Sequence, residues 1–371
     1  MLSLIWSENI WIIFITKMKS SSSSIKEIIR DAKKGKMFIL VDNKDRENEG
    51  DLVIPASKIN PKKINFMAKH GRGLICLALT QKKIRKLKLP LMSSVNKSRT
   101  QTAFTVSIES KKGISTGISA YDRAKTIKVA IKPSSSKKDI VSPGHVFPLV
   151  AKNGGVLERA GHTEASVDIS KLAKLNASAV ICEVMNEDGT MARYKDLIPF
   201  AKKHRLKIAK IEDLISHRLK NERLIKCISN KRIKIKKFGN FDLKTFRNKL
   251  DGSEHYAITK GKFTPGKASR VRVISTNILN SFFNFSKDIF KNSLKHLNKF
   301  NNFALILVKG TNPNSASSEN NRILRYYGVG AQIIKELKIK NMILVSRSKK
   351  RIIALKGYGI KITKQEIIKW R

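Results

Sequence analysis

Five carboxylates fall within ten residues of the stretch VDNKDRENEGDLVIPA: Asp42, Asp45, Glu47, Glu49 and Asp51. The whole chain has 28 Asp and Glu among 371 residues, so a window of that size should hold about one. Like charges this close repel, and some need a cation or a proton. Lys44 and Arg46 supply part of that charge. A hard divalent ion such as Mg²⁺ or Mn²⁺ suits the remaining oxygens. The plainer alternative is a solvated acidic turn. Gly50 and the apolar runs on both sides fix the loop and favour a site.

Two histidines sit in loop-like contexts. SPGHVFP carries His145 beside two prolines, and ERAGHTEAS carries His162 just after a glycine and before a helix. With the acidic loop they offer a metal ligand and a proton-transfer group. Glu183 lies in the apolar run of ICEVMNEDG. A carboxylate there is costly unless it is paired or functional, the alternative being an edge-strand glutamate facing water. STGISAYDRAKTI places Ser115, Thr116, Gly117 and Ser119 ahead of a helix, where hydroxyls and free N–H groups suit a phosphate or an ordinary cap. Arg159 and Thr163 flank His162 as further phosphate donors. From the residues alone, the reading is a divalent metal, acid–base groups and a small phosphorylated substrate.

The elements that must hold these groups are a mixture. The serines before IKEIIRDAKKGK cap a helix that Gly35 stops. MFILVD, GLICLALT, AFTVSIES and SAVICEVMN read as strands; INPKKINFMAKHG, HTEASVDISKLAKL and YKDLIPFAKKHRL read as helices; DIVSPGHVFPLVAK reads as loop around its prolines. No strict βαβ rhythm appears, so the expectation is an α+β domain with a mixed sheet. Near residue 220 a very basic stretch opens a second apolar series, read as a second α/β domain over 220–371 after a first over 18–219. Residues 1–17, interrupted by Glu8 and Asn9 and followed by Met18, read as an extension and not as a membrane anchor.

The formal charge is +48, and the lysines are spread along the chain instead of forming one block. With aromatic residues at 7% and no recognisable binding module, nucleic acid is not the expected partner. The three cysteines, Cys76, Cys182 and Cys227, match neither a disulfide framework nor a CxxC pair, which points to a reducing cytoplasm.

DRENEGDL, GRGLICLAL, TAFTVSIE, STGISAYDRAKTI, SPGHVFPL, RAGHTEASVDI and ICEVMNEDG occur here in order. Across residues 24–217 this set resembles 3,4-dihydroxy-2-butanone 4-phosphate synthase. The resemblance implies a homodimeric carbon–carbon lyase of riboflavin biosynthesis. It would act on D-ribulose 5-phosphate, yield L-3,4-dihydroxybutan-2-one 4-phosphate and formate, and use Mg²⁺ or Mn²⁺, two per active site. Carried over by motif, Glu47 and His162 match metal ligands. Arg46, Asp51 and the run Arg159, Ala160, Gly161, His162 and Thr163 match substrate contacts, which Glu47 and Glu183 share. His145 and Glu183 match the residues regarded as essential for catalysis. Glu49, Cys76 and Thr116 match neighbours of the active site. The metal would polarise the substrate carbonyl and stabilise an enediolate.

Residues 221–371 resemble GTP cyclohydrolase II through FRNKLDGSEHYAITKG, RVRVIST, RYYGVGAQIIKELKIKNMILVS and LKGYGIKI. The family follows RVRVIST with zinc-binding cysteines. Here NILNSFFNFSKDIFKNSLKHL stands in that place without one, so no zinc is expected and the domain reads as degenerate. The competing expectation is a bifunctional enzyme that retains cyclohydrolase activity.

Overall fold

The computed structural model describes residues 22–43, 46–97, 100, 102–264, 266–276, 285–309, 319–347 and 359–368. The expectations for residues 1–17, the cysteine-free segment 277–284 and LKGY at 355–358 lie outside these. The chain forms two units, Met1–Leu214 and Ile215–Arg371.

The first unit carries a seven-stranded mixed sheet in the order β4-β5-β3-β6-β2-β1-β7. Its strands are β1 Phe38–Val41, β2 Gly50–Pro55, β3 Cys76–Thr80, β4 Ile108–Ser110, β5 Ile140–Ala151, β6 Ser178–Glu183 and β7 Lys207–Lys210. β1 runs parallel to β7, and β3 to β5; the other neighbours are antiparallel. β1 and β2 are buried along their whole length; β1 is unbroken apolar sequence, and in β2 the apolar run Leu52–Pro55 follows the buried Asp51. The capping box expected at the first helix forms between Ser24 and Glu27, ahead of Ile25–Lys33.

The segment DIVSPGHVFPLVAK is a strand and not the expected loop. Pro148 has no N–H to give, but its carbonyl accepts from Thr105, the N–H at 3.0 Å and the hydroxyl at 3.2 Å. Pro143 falls in a bulge. Ile108 pairs with Val146 while the next residue, Glu109, pairs with Val141. Residues 142–145 are thereby thrown out of the ladder, where a missing donor costs nothing. Ser107 staples this bulge: its carbonyl accepts from Ser142 Oγ at 2.7 Å and its hydroxyl from Gly144 N at 3.1 Å. In AFTVSIES the strand is shorter than expected, Ile108–Ser110, preceded by single bridges at Phe104 and Thr105.

The second unit holds another seven-stranded sheet, ordered β14-β13-β11-β12-β10-β9-β8. β8 Ile225–Ile235, β9 Gly239–Asn248 and β10 Glu254–Lys260 form an antiparallel series. β11 Ser269–Thr276 lies parallel to β12 Phe303–Lys309 and β13 Asn341–Ser346, and β13 parallel to β14 Lys361–Ile367. Cores form around Phe246, Val271, Ile306 and Leu344, and around Phe241, Phe303 and Leu305. RYYGVGAQII lies within the helix Glu319–Glu336.

Candidate active site

The acidic stretch is the connection between β1 and β2, antiparallel neighbours that close with Val41 opposite Gly50. It is folded by its own first carboxylate. Asp42, buried, accepts the N–H of Glu49 at 2.9 Å and that of Glu47 at 3.2 Å, and pairs with Arg46 Nη1 at 2.7 Å. Arg46 also pairs with Glu47. Arg193, at the start of the helix Tyr194–His204, donates to the carbonyls of Glu47 and Asn48 and lies 3.4 Å from a Glu49 carboxylate oxygen. Asn48 is held in the left-handed region at φ 55°. The loop is thus a set conformation and not a solvated turn.

Against this loop stands the N-terminus of the helix His162–Leu172. Ligand atoms of Asp42, Glu47 and His162 lie within 4.8 Å of one another. His162 Nδ1 is 3.9 Å from Glu47 Oε2 and 3.7 Å from Asp51 Oδ1. Its Nε2 is buried with no hydrogen-bond partner among the described residues. Burial lowers the His162 pKa, which keeps the imidazole neutral, the form that binds metal. Two carboxylates, an imidazole and an orphaned ring nitrogen fit Mg²⁺ or Mn²⁺.

Asp51 and Glu183 face each other across β2 and β6. Burial raises the Glu183 carboxyl above its ordinary value, although the Leu74 N–H, 2.9 Å away, favours the ionised form. Burial, then the charges of Glu183, Glu47 and Asp42, hold Asp51 well above the carboxylate range. Burial and neighbouring negative charge both disfavour the ionised forms, so this pair holds its protons more strongly than ordinary carboxyls. Burial, then Glu47, raises Glu49 too. Cys76 opens β3 beside these groups, and burial followed by their charges keeps its thiol protonated.

Other expected residues are placed around this centre. Arg159 donates to the buried Glu164 carboxylate at 2.7 Å, to the Thr100 carbonyl at 3.0 Å and to Thr102 Oγ1 at 2.9 Å. It thus ties the helix start to the 100–102 segment. Ala160 and Thr163 are buried, and Gly161 is the helix N-cap. Among the described residues no backbone hydrogen bond is made by the N–H groups of His162, Thr163 and Glu164, the usual state of a first helical turn.

The anion site considered before the helix Ala120–Ile131 is already filled by a residue of the chain. Asp122 takes the N–H of Ser115 at 3.2 Å, its hydroxyl at 2.7 Å and the Gly117 N–H at 3.0 Å. Ser119 accepts the Asp122 N–H as an ordinary cap, and Thr116 is exposed. These donors are spent within the protein.

His145 sits in the β5 bulge. Its Nδ1 pairs with Glu109, and no described hydrogen bond or ion pair joins it to the Glu47–His162 group. The register still brings it to the same end of the sheet. Cys76 lies between Phe147, two residues after His145, and Ile181, two residues before Glu183, and Leu74 donates its N–H to Glu183. Two strand spacings are about 10 Å. The roles of Asp42, Glu109, Arg193 and Glu164 were not read from sequence. Asp42 was counted in the acidic run, and Glu109 closes TAFTVSIE, but nothing local marks either as a partner.

Residues 26–217 match the family 3,4-dihydroxy-2-butanone 4-phosphate synthase, and residues 226–300 and 291–366 match GTP cyclohydrolase II. Riboflavin biosynthesis protein RibBA of Aquifex aeolicus is 42% identical over 376 residues, covering 94% of this chain and 92% of that protein. The crystal structure of a two-domain 3,4-dihydroxy-2-butanone 4-phosphate synthase from A. baumannii superposes with TM-score 0.80 at 38% identity, covering 94% of this chain and 100% of the other. A second solved synthase, in complex with two magnesium ions, has TM-score 0.52 and 37% identity, covering 54% of this chain and 98% of the other.

Proposed function

The chain belongs to the 3,4-dihydroxy-2-butanone 4-phosphate synthase family, and we propose from that premise how its acidic loop carries out the reaction. D-Ribulose 5-phosphate is converted to L-3,4-dihydroxybutan-2-one 4-phosphate and formate, a carbon–carbon lyase step of riboflavin biosynthesis. The two products together contain every atom of the substrate. No oxidant, reductant or net water is needed, only proton transfers in both directions while the carbon skeleton rearranges.

One observation carries the reading: a neutral, partly orphaned His162 beside Asp42 and Glu47, next to a carboxyl pair that keeps its protons. Glu47 and His162, with Asp42, would hold Mg²⁺ or Mn²⁺. When bound, such an ion polarises a carbonyl and an adjacent hydroxyl and lowers the pKa of the carbon-bound proton. Glu183 and Asp51, with raised pKa values, donate and recover protons. His145 is the second proton-transfer group. The first turn of the helix at Ala160, Gly161 and Thr163 offers N–H groups to a phosphate, and Arg46 and Arg159, each paired with carboxylates, order the wall around it. Glu49 and Cys76 shape the floor, and Thr116 borders His145.

The catalytic domain is assigned to residues 18–219, with 220–371 as its partner domain. We assign a homodimer because exposed apolar side chains gather at Leu91, Met92 and Val95 and at Ile118, Tyr121 and Val141. These flank the short edge strand β4 near His145, and such a surface suits a second copy. Cytoplasmic location fits three free thiols. No helix among the described residues is long and apolar enough to cross a membrane. The test is formate release by the purified chain with D-ribulose 5-phosphate and Mg²⁺. Chelation should abolish it and added Mn²⁺ restore it; absence of formate with either ion overturns the reading.

A further inference from the structure

We propose that Glu109 is a positioning residue that fixes the imidazole of His145 for proton transfer. The inference rests on the role given to His145 above. The two residues are 36 apart in sequence and are brought together by the antiparallel pairing of β4 with β5, at the point where the bulge interrupts the ladder. The rung of Ile108 with Val146, continued regularly, would set Glu109 opposite His145; the bulge shifts the backbone pairing of Glu109 to Val141, yet the side-chain contact with His145 is kept.

The surroundings are built to this pair. Gly117 has φ 90°, and a Cβ there would lie 1.7 Å from Glu109 Oε1 and 2.7 Å from His145 Nδ1. Only a glycine lets the loop close over the contact. The loop is held shut by Asp122, whose carboxylate takes the N–H groups of Ser115 and Gly117 and the Ser115 hydroxyl. On the other side, Ser107 pins Ser142 and Gly144, which flank the proline of the bulge. Glu109 is largely covered while His145 keeps a side chain 44% exposed. With Nδ1 bound to the carboxylate, Nε2 is left as the nitrogen that takes or gives a proton on the open side. A carboxylate in this place selects the tautomer and steadies the imidazolium when it forms.

Glu109→Gln keeps the shape and removes the charge. We expect kcat to fall on the order of 10²-fold, between the ~10-fold of a supporting group and the ~10⁴ of an orienting carboxylate. KM should change by less than about threefold, since Glu109 touches no substrate. Glu109→Asp should recover part of the loss. The deciding experiment is the same substitution in a His145→Ala background, where it should cost less than about twofold. A spectroscopic readout stands beside it: the His145 Nδ1 proton, seen by ¹H–¹⁵N NMR in histidine-labelled protein, should be lost in Glu109→Ala while the melting temperature holds.

Parental kcat in Glu109→Gln, with His145→Ala slow, overturns the inference and leaves the proposed function intact. Equal losses in both backgrounds also overturn it, because Glu109 then acts independently of His145. Parental kcat in His145→Ala overturns the role of His145 itself, and the positioning of it falls at the same time.

Discussion

The two units share a seven-stranded mixed sheet and a basic composition, and they differ in where they put their acids. The first buries Asp31, Asp42, Asp51, Asp122, Glu164 and Asp168. Among the described residues of the second, no Asp or Glu is buried. Its acids are spent on partly exposed ion pairs, Arg223 with Glu336, Arg232 with Asp242, Arg247 with Glu254 and Arg270 with Glu366. Its buried His255 is satisfied within the unit: it accepts the Lys309 N–H at 3.1 Å and faces Ser253 Oγ at 3.2 Å. Burying several carboxylates within reach of one another costs free energy that a fold alone does not need. The first unit bears that cost where Asp42 and Asp51 gather with Glu47 and Glu183, and the second does not.

The largest test of this contrast is to remove the metal-binding side chains. Glu47→Ala or His162→Ala should abolish formate release and Mn²⁺ binding measured by calorimetry, with the melting curve preserved. Next comes Glu183→Gln, which keeps hydrogen bonding but cannot exchange a proton; kcat should fall by at least ~10²-fold. Asp42→Asn removes the acceptor that organises the Glu47 and Glu49 backbone. It should raise the Mg²⁺ concentration needed for half-maximal rate by roughly 10- to 100-fold.

A smaller effect should appear in stability. The folded pKa of Glu183 is raised above 4.5, its ordinary value. Below that pH the carboxyl is protonated folded and unfolded, and Glu183→Gln should leave the melting temperature unchanged. As pH rises above it, the unfolded chain ionises first and the native state loses stability relative to the Gln variant. The variant should therefore melt progressively higher than the parent as pH rises from 4.5 toward the folded pKa, the difference levelling off above it, in metal-free buffer. A constant difference across pH would mean that burial is not what raises this carboxyl.

The smallest expected effect lies in the second unit. GTP with Zn²⁺ and Mg²⁺ should yield no diaminopyrimidine, because NILNSFFNF follows RVRVIST where the zinc thiolates would fall. That segment lies outside the described residues, so sequence alone carries this prediction. Turnover that a chelator removes and zinc restores would contradict it.

Scarcity made part of the site legible. In so basic a chain the run from Asp42 to Asp51 stands out, and an acid inside ICEV stands out for the same reason. His162 was legible because a helix start is a local event, marked by a preceding glycine. Glu109 was not, since a strand glutamate looks ordinary until pairing with a distant strand supplies its histidine. The β5 strand was missed because its prolines occupy positions that ask for no N–H, a property of the register and not of the residue. The phosphate site weighed at Ser115–Ser119 failed for a similar reason: Asp122, four residues after Ile118, is the anion those donors were arranged to meet.

The central claim is that the acidic loop of the first unit makes formate from a sugar phosphate. The full chain should be given uniformly ¹³C-labelled D-ribulose 5-phosphate with Mg²⁺ and followed by ¹³C NMR. Labelled formate should appear in equal amount with a four-carbon ketone phosphate, and Glu47→Ala should produce neither. No labelled formate from the parent, or an undiminished yield from Glu47→Ala, would contradict the account.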